Sequence, residues 1–431
     1  MDIEIFKNHL KKYLSSDNIG SLMDAIKEDN PLSSILIDEN KISKQEIIKE
    51  YPFLIPHPIA DNVFIYDKNK YSLGKTLLFE IGAYYIFEPC SSLVNYFLNP
   101  TEDDLVLDLA AAPGGKTIHC SFLMHNRGQI ISNEINSQRA NILSSNVEKY
   151  GRKNVTVINE DSHNLLKNFK GSFSKIILDA PCSGSGMFRK ESKMMDDWTL
   201  NKVESLSKLQ KELILIAYDL LSPGGEMMYS TCSFSYEEDE EVIEYLLKNR
   251  DAILVDLPHI KGEYRSNLKQ TIHLFPHLFQ GEGHFLAKIK KPGLFQKIEF
   301  KYKQPLNYSL PPHLTEKGQV FISRNNDVYL SNQILPLNGL HVLRQGIKVG
   351  SIDKKLGLIY DNAFARIDLE ILPKIDLNKE QTKAYILGLT IQFNQKDGYY
   401  ILTYKQIPFG ISKLTHGTLK NHYPKGLRKK L

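Results

Sequence analysis

The sequence predicts an α/β protein with a doubly wound parallel sheet at its centre, a small, mainly helical region before it and a largely β region after it. Three observations carry this. From about Leu77 to Lys291, short apolar runs alternate with longer amphipathic segments, the pattern of βαβ units. In the first 30 residues, apolar side chains recur at helical rather than strand spacing. After Lys291 the chain turns Pro-rich and then into short β-like runs, DVYLS, HVLRQGIKVGSI and GYYILTYKQIPFGIS. The domain boundaries that follow are 1–70, 71–292 and 300–431.

Ile3, Phe6, Leu10 and Tyr13 or Leu14 mark a first helix, and Leu22, Met23 and Ile26 continue the spacing after Gly20. YPFLIPHPIADN holds Pro52, Pro56 and Pro58, which cannot extend a helix or a central strand, so it reads as a connector. The central strands are DLVLDLA, GQIISNE, NVTVINED, FSKIILDA, GEMMYSTC and HFLAKIK. NSQRANILSSNVEKYG and NKVESLSKLQKELILIAYDLLSPGG read as helices, the second ending at Ser222 before Pro223 and Gly224.

Composition narrows the class. A chain of 431 residues has length for about three domains of roughly 150 residues each, and 42% hydrophobic with 24% charged residues is ordinary globular composition. No apolar run is long enough to span a bilayer, and Asp2 and Glu4 sit where an export signal needs basic residues. A cytoplasmic location without membrane attachment is expected. Cys90, Cys120, Cys182 and Cys232 form no CxxC pair, which points to free thiols and to no metal site. Net charge is only +4, but Ile401–Leu431 carries seven Lys or Arg and no acid. Within it, Lys420, Lys425 and Arg428, beside Tyr404, His416, His422 and Tyr423, are candidates to meet phosphates and bases.

The first candidate site closes the first central strand: Asp108-Leu-Ala110-Ala111-Ala112-Pro113-Gly114-Gly115-Lys116-Thr117. Adjacent glycines let the backbone approach a ligand and aim helix amides at it. Gly115-Lys116-Thr117 also ends a phosphate-binding P-loop, and IILD could supply its magnesium-holding Asp. However, the first glycine of that motif falls at Ala110, and Pro113 removes an amide from the cradle. Glu134, Asp161 and Asp179 close the next three strands, where ligands of open α/β sheets bind. A carboxylate after the second strand suits a ribose diol, so these residues favour an adenosyl ligand with an amino-acid and sulfonium tail.

The second feature is a pair of cysteines at strand ends, Cys182 in DAPCSGSG and Cys232 in STCS. Cys90 and Cys120 read as small buried hydrophobes. A thiol near a carboxyl group and a bound methyl donor suits one chemistry well. Carbon 5 of a pyrimidine becomes nucleophilic only when something adds at carbon 6, and a thiolate can do so. A carboxyl group at the N3 and N4 edge would take up the developing charge.

At these residues the sequence resembles the Sun/Fmu family of RNA cytosine-5 methyltransferases. DLAAAPGGKT, DAPCSGSGMFRK and YSTCSFSYEEDE stand in the family's order and spacing. The resemblance implies a Rossmann-like class I methyltransferase domain using S-adenosylmethionine. It implies Cys232 as nucleophile, Cys182 as the aid to product release, and Asp179 at the cytosine edge. It also implies cofactor contacts from Ala110, Ala111, Ala112, Pro113, Gly114, Gly115, Lys116, Glu134, Asp161 and Asp179, and an ordering role for Arg139. PHLFQGEGHFLAKIKK and KNHYPKGLRKK resemble the RsmF-type branch, which modifies small-subunit ribosomal RNA and carries a PUA-like C-terminal region. Three departures stand out: Ala110 in place of the common Cys, Phe87 where YxQEPS has Gln, and SSILIDEN where the family has an Arg-x-Asn strand.

The reading that results is a monomeric methyltransferase acting on ribosomal RNA or the small subunit, without an implied protein partner. The flanking regions are expected to grip RNA while the target base is flipped, with Arg189 and Lys190 as phosphate contacts at the crevice mouth. Its rivals are a cytosine-5 methyltransferase acting on another RNA such as tRNA, a P-loop nucleotide hydrolase, and a non-catalytic RNA-binding assembly factor.

Overall fold

The computed structural model describes residues 3–28, 31–295, 314, 320–324, 326–367, 372–424 and 427–428. The expected N-terminal helices form as α1 (Ile3–Leu10) and α2 (Ser16–Lys27), the latter capped by the Ser15 hydroxyl. Their apolar stripes, with Phe6, Leu10 and Leu22, pack on Phe188, Trp198, Phe234 and Phe275. Of those partners Phe188, Trp198 and Phe234 belong to the segments that follow the two candidate cysteines, and Phe275 follows the strand Ile272–Leu274.

Besides helices, the N-terminal region builds a four-stranded antiparallel sheet from β1 (Leu32–Ile37), β2 (Ile55–Pro56), β3 (Val63–Asp67) and β4 (Tyr84–Phe87), ordered β2-β3-β1-β4. β4 pairs Ile86 with Ile35, so the sheet runs past residue 70. The Pro-rich connector contributes only β2, at the sheet edge, where a proline costs no ladder hydrogen bond.

The central sheet comprises β5 (Leu105–Asp108), β6 (Gln129–Asn133), β7 (Val155–Ile158), β8 (Phe173–Asp179), β9 (Leu221–Thr231), β10 (Ile253–Val255), β11 (Ile272–Leu274) and β12 (His284–Lys290). All six strand candidates are among these. The order is β10-β12-β9-β8-β5-β6-β7, with β5 to β9 parallel and β12 antiparallel to β9. Strand order reverses between β5 and β8, which opens a crevice beyond their C-terminal ends.

Helix Ser137–Tyr150 begins at its Asn136 cap and stops at Gly151, whose φ of 68° only glycine adopts freely. The long helix before β9 spans Leu200–Leu220, two residues shorter than the sequence predicts. The reason is tertiary: Leu221 already pairs with Phe173, and Pro223-Gly224 fall inside β9 near a register shift rather than capping a helix.

The C-terminal region holds two sheets. One joins Val320–Arg324, Asp327–Ser331, Ile347–Asp353 and Gly357–Tyr360; the other joins Lys374–Asp376, Gly398–Tyr404, Ile407–Thr415, Thr418–Leu419 and Ile391–Gln392. Between strands of the first, Val342–Gln345 leaves to pair with β7 and extends the central sheet. The second sheet shares a core with the N-terminal one, Tyr385, Leu402, Phe409 and Tyr423 meeting Ile35, Phe64 and Tyr84. Each large side chain so buried contributes about 1.5–3 kcal/mol. Among the described residues, no helix is long and apolar enough to cross a membrane.

Candidate active site

A cavity of about 310 Å³ lies at the strand-order reversal, lined by Ala110 to Pro113, Gly115, Lys116, Asp179 and Cys232 on the sheet side. Tyr85, Phe87 and Glu88 from the N-terminal sheet and its exit, with Met187, Lys190 and His284, close it. The glycine loop is pinned from both flanks. The Ala111 amide donates to the Asn133 carbonyl at 2.8 Å, and Arg139 Nη2 donates to the Ala112 carbonyl at 2.8 Å. Arg139 thus orders the loop. Gly114 takes φ 110° ahead of helix Gly115–Leu123, and a Cβ on Gly115 would stand 3.2 Å from the Tyr85 ring.

Lys116 does not point an ammonium at an empty phosphate cradle. Its Nζ donates to Asp179 Oδ2 at 2.7 Å, and the pair is largely buried. That commitment removes the lysine a P-loop needs. Asp179 Oδ1 accepts from the Ser230 hydroxyl at 2.8 Å and has His284 Nε2 at 3.5 Å. Burial alone would raise its carboxyl, but Lys116 and then His284 hold it well below the usual range. Asp108, also lining the cavity, is fully buried; burial pushes its carboxyl up to about 7, although Thr117 donates to it at 2.7 Å.

The two cysteines meet: Cys182 Sγ and Cys232 Sγ are 3.1 Å apart, although 50 residues separate them. Cys232 lines the cavity and Cys182 stands beside it. The contact with Cys232, then burial, pushes the Cys182 thiol well above its usual value. Glu238 fixes this juxtaposition. Its carboxylate accepts from the Ser183 amide at 2.8 Å and from the Ser183 and Ser233 hydroxyls at 2.5 Å each, tying the residues after both cysteines together. The Gly186 amide adds a bond to the Cys232 carbonyl at 2.7 Å.

The other expected site residues divide. Glu134 is buried after β6; its Oε1 accepts from the Asn136 amide at 2.9 Å, its Oε2 is ion-paired with Arg139 Nη1 at 3.4 Å, and it stands behind the cavity lining. Asp161 caps helix Ser162–Phe169 through His163 and lies outside the cavity lining. The glycine loop, the carboxylate of Glu134 after β6 and the cavity together fit S-adenosylmethionine.

Arg189 is a correction. Its guanidinium is 8% exposed and is spent on Glu282 at 2.9 Å and the Gly281 carbonyl at 2.8 Å, so it braces the DAPC loop and offers nothing to a phosphate. Lys190 is exposed at the mouth as expected. In the basic end, Lys420 is exposed, whereas Arg428 turns back onto the Tyr423 carbonyl and Asn421, and Tyr423 is core, unavailable for stacking on a base. Lys425 lies outside the described residues.

His284 and Glu238 escaped the sequence reading. His284 opens β12, next to Phe285, which faces Thr231 of the TC motif. An antiparallel strand beside β9 was the available signal, since its first residue must land near Cys232.

Comparison with known proteins agrees with this geometry. Residues 95–290 match the model described as 16S rRNA methyltransferase RsmB/F, and 372–429, essentially the second C-terminal sheet, match the methyltransferase RsmF PUA domain. The chain is 31% identical over 434 residues to ribosomal RNA small subunit methyltransferase F of Vibrio cholerae serotype O1 (strain M66-2), covering 91% of this chain and 90% of that one. A methyltransferase homolog protein from Pyrococcus horikoshii is similar in structure, with TM-score 0.59 and 29% identity over 67% of this chain and 94% of that one. NSun6 from the same organism, solved with SFG, shares the fold at TM-score 0.61 and 22% identity, covering 66% and 97%. With the glycine loop, the facing cysteines and a full-length relative in agreement, the chain belongs to the RsmB/F family of 16S rRNA methyltransferases.

Proposed function

We propose that this protein methylates carbon 5 of a cytosine in small-subunit ribosomal RNA, with Cys232 as the attacking nucleophile. S-adenosylmethionine, held by the glycine loop from Ala110 to Lys116 and by Glu134, supplies the electrophilic methyl group. The observation that carries the reading is the Cys182–Cys232 contact of 3.1 Å beside the Asp179–Lys116 pair, with Cys232 alone of the two facing the cavity.

The residues divide the work. The Cys232 thiolate adds to carbon 6, N3 takes up a proton from solvent, and carbon 5 becomes enamine-like. Carbon 5 takes the methyl group as the thioether product leaves, and water then removes the carbon 5 proton so that the carbon 6–sulfur bond can break and release the thiolate. Asp179, kept ionised by Lys116, accepts from the N4 amino group and stabilises the proton on N3. Cys182, which holds its proton, donates to the Cys232 thiolate and is placed to reprotonate it when the carbon 6–sulfur bond breaks. Helices α1 and α2, the N-terminal sheet and the PUA-like sheet serve as the RNA-holding frame around residues 71–292, with Lys190 and Lys420 as exposed contacts.

The test is transfer of labelled methyl from S-adenosylmethionine to unmodified small-subunit RNA, free and assembled, followed by nucleoside analysis. 5-Methylcytosine is the expected product. Cofactor binding without product on either RNA, but with product on tRNA, would reassign the substrate.

A further inference from the structure

A second cavity, of about 600 Å³, opens at the opposite edge of the parallel sheet, among the loops that lead into β5, β6 and β7. It is a three-way junction. The loop after β1 brings Lys41, the strand-entry loops bring Arg127, Arg152 and Lys153, and the C-terminal region brings Arg366. The acids lining it are Asp38 and Glu102. Asp38 takes Arg152 Nη2 at 2.6 Å and Glu102 takes Arg127 Nη1 at 2.8 Å. Lys41, Lys153 and Arg366 have no carboxylate within ion-pair distance among the described residues.

The two acids leave an excess of positive charge at the junction. Lys41 donates only to the carbonyls of Gly82 and Tyr150, at 3.4 and 3.2 Å. Burial, Arg152 and Arg366 pull its ammonium down to about 7, although Asp38 opposes them. Arg152 is 3% exposed; its Nε donates to the Tyr150 carbonyl at 2.7 Å, and its Nη1, a buried charged donor, has no hydrogen-bond partner among the described residues. Unsatisfied buried donors are rare enough in folded proteins to call for a ligand or water. His125 and Asn126, which carry Arg127 into the cavity, hold positive φ of 49° and 60°, a conformation non-glycine residues adopt where the surroundings demand it. The Lys153 ammonium and the exposed Arg127 guanidinium, with Arg152 Nη1 behind them, supply the cationic donors that a phosphate group takes.

We propose that this cavity binds a backbone phosphate of the RNA substrate. The inference rests on the RNA-methyltransferase reading above, and it adds a contact remote from the chemistry. β5 alone, four residues long, puts about 13 Å between the two edges of the sheet. The phosphate held here therefore belongs to a segment several nucleotides from the target cytosine, and the site sets affinity and register while Cys232 does the chemistry.

The experiment uses the full chain and a small-subunit RNA fragment, with affinity measured by fluorescence anisotropy over a salt series. Lys153→Glu is the first variant because Lys153 is half-buried and carries no ion pair; Arg127→Gln, at the exposed rim, is the second. Each is expected to weaken RNA binding, the reversal by about tenfold, and to flatten the dependence of log K on log salt by about 0.7, one single-strand phosphate contact. S-adenosylmethionine affinity and turnover at saturating RNA stay at the parent values, which also reports intact folding. Lys153→Arg retains binding. Unchanged affinity and slope in both variants overturn the proposal. So does a cavity that takes inorganic phosphate, lost in Lys153→Glu, while RNA affinity is unaffected, because the ligand is then a free anion. If RNA binding depends on Lys153 but no 5-methylcytosine forms, the site stands and the catalytic reading falls.

Discussion

At the scale of residues, the site works through charges placed out of water. Asp179 and Lys116 neutralise one another in the cavity that Cys232 also lines, so Lys116→Met leaves a carboxylate without its cation. Removing one partner of a buried pair costs about 3–5 kcal/mol, and the lower end applies because Asp179 is partly exposed. The variant is expected to unfold at lower denaturant and to lose most turnover, as measured by urea titration and methyl transfer. Asp108 gives a separate signature. Its folded carboxyl sits near 7, above the unfolded value near 4, so between these values the unfolded chain gives up its proton while the folded one keeps it. Stability should therefore fall as pH rises from about 4 to about 7, by up to ~4 kcal/mol, and Asp108→Asn should remove that fall. Denaturant titrations of both proteins at pH 4.5, 6 and 8 check it; parallel profiles would refute it. That Cys182, Cys232 and Asp179 share one crevice was legible in the sequence because all three stand at the ends of strands that pair with each other. Arg189 was misread because its partner, Glu282, stands 93 residues away and no local pattern reveals it.

Among elements, the loops after β8 and β9 matter most, and Glu238 is their clamp. Glu238→Ala would strand the Ser183 amide and two hydroxyls in a buried setting, at about 1–3 kcal/mol for each group left unsatisfied. The expected result is a drop in kcat of at least tenfold with S-adenosylmethionine affinity little changed; equal loss of both would point to general unfolding instead. Gly151 is the equivalent point for the helix Ser137–Tyr150. A Cβ there would lie 2.6 Å from the Arg366 carbonyl in left-handed backbone, so Gly151→Ala should lower the thermal midpoint. The central strands could be read because a parallel sheet covered on both faces leaves unbroken apolar runs. The N-terminal sheet could not. Its strands are two to six residues long, and the pairing of β1 with β4 joins Ser34 to Phe87, a contact that no local periodicity encodes.

For the whole molecule, the two ends of the chain close on each other. The N-terminal sheet and the PUA-like sheet share one core, so neither is an independent appendage. A chain truncated after Ile367 would uncover Ile35, Phe64 and Tyr84, and size-exclusion with thermal unfolding should show aggregation and a lower midpoint. Composition revealed three regions, but not that the first and last are one packing unit, nor that the region from 300 onward divides into two sheets. The two sheets are separated by the short helix Asn362–Arg366, while Val342–Gln345 leaves the first of them for a long-range pairing with β7.

The proposed mechanism has Cys232 bond to the base and Cys182 let it go. Its most direct test is denaturing electrophoresis, with mass spectrometry of the retarded band, of Cys182→Ala incubated with RNA and S-adenosylmethionine. A covalent protein–RNA adduct mapping to Cys232, absent from the Cys182→Ala/Cys232→Ala double variant, is the predicted result. Methylation by Cys232→Ala at the parent rate, or an adduct that survives in the double variant, would contradict it.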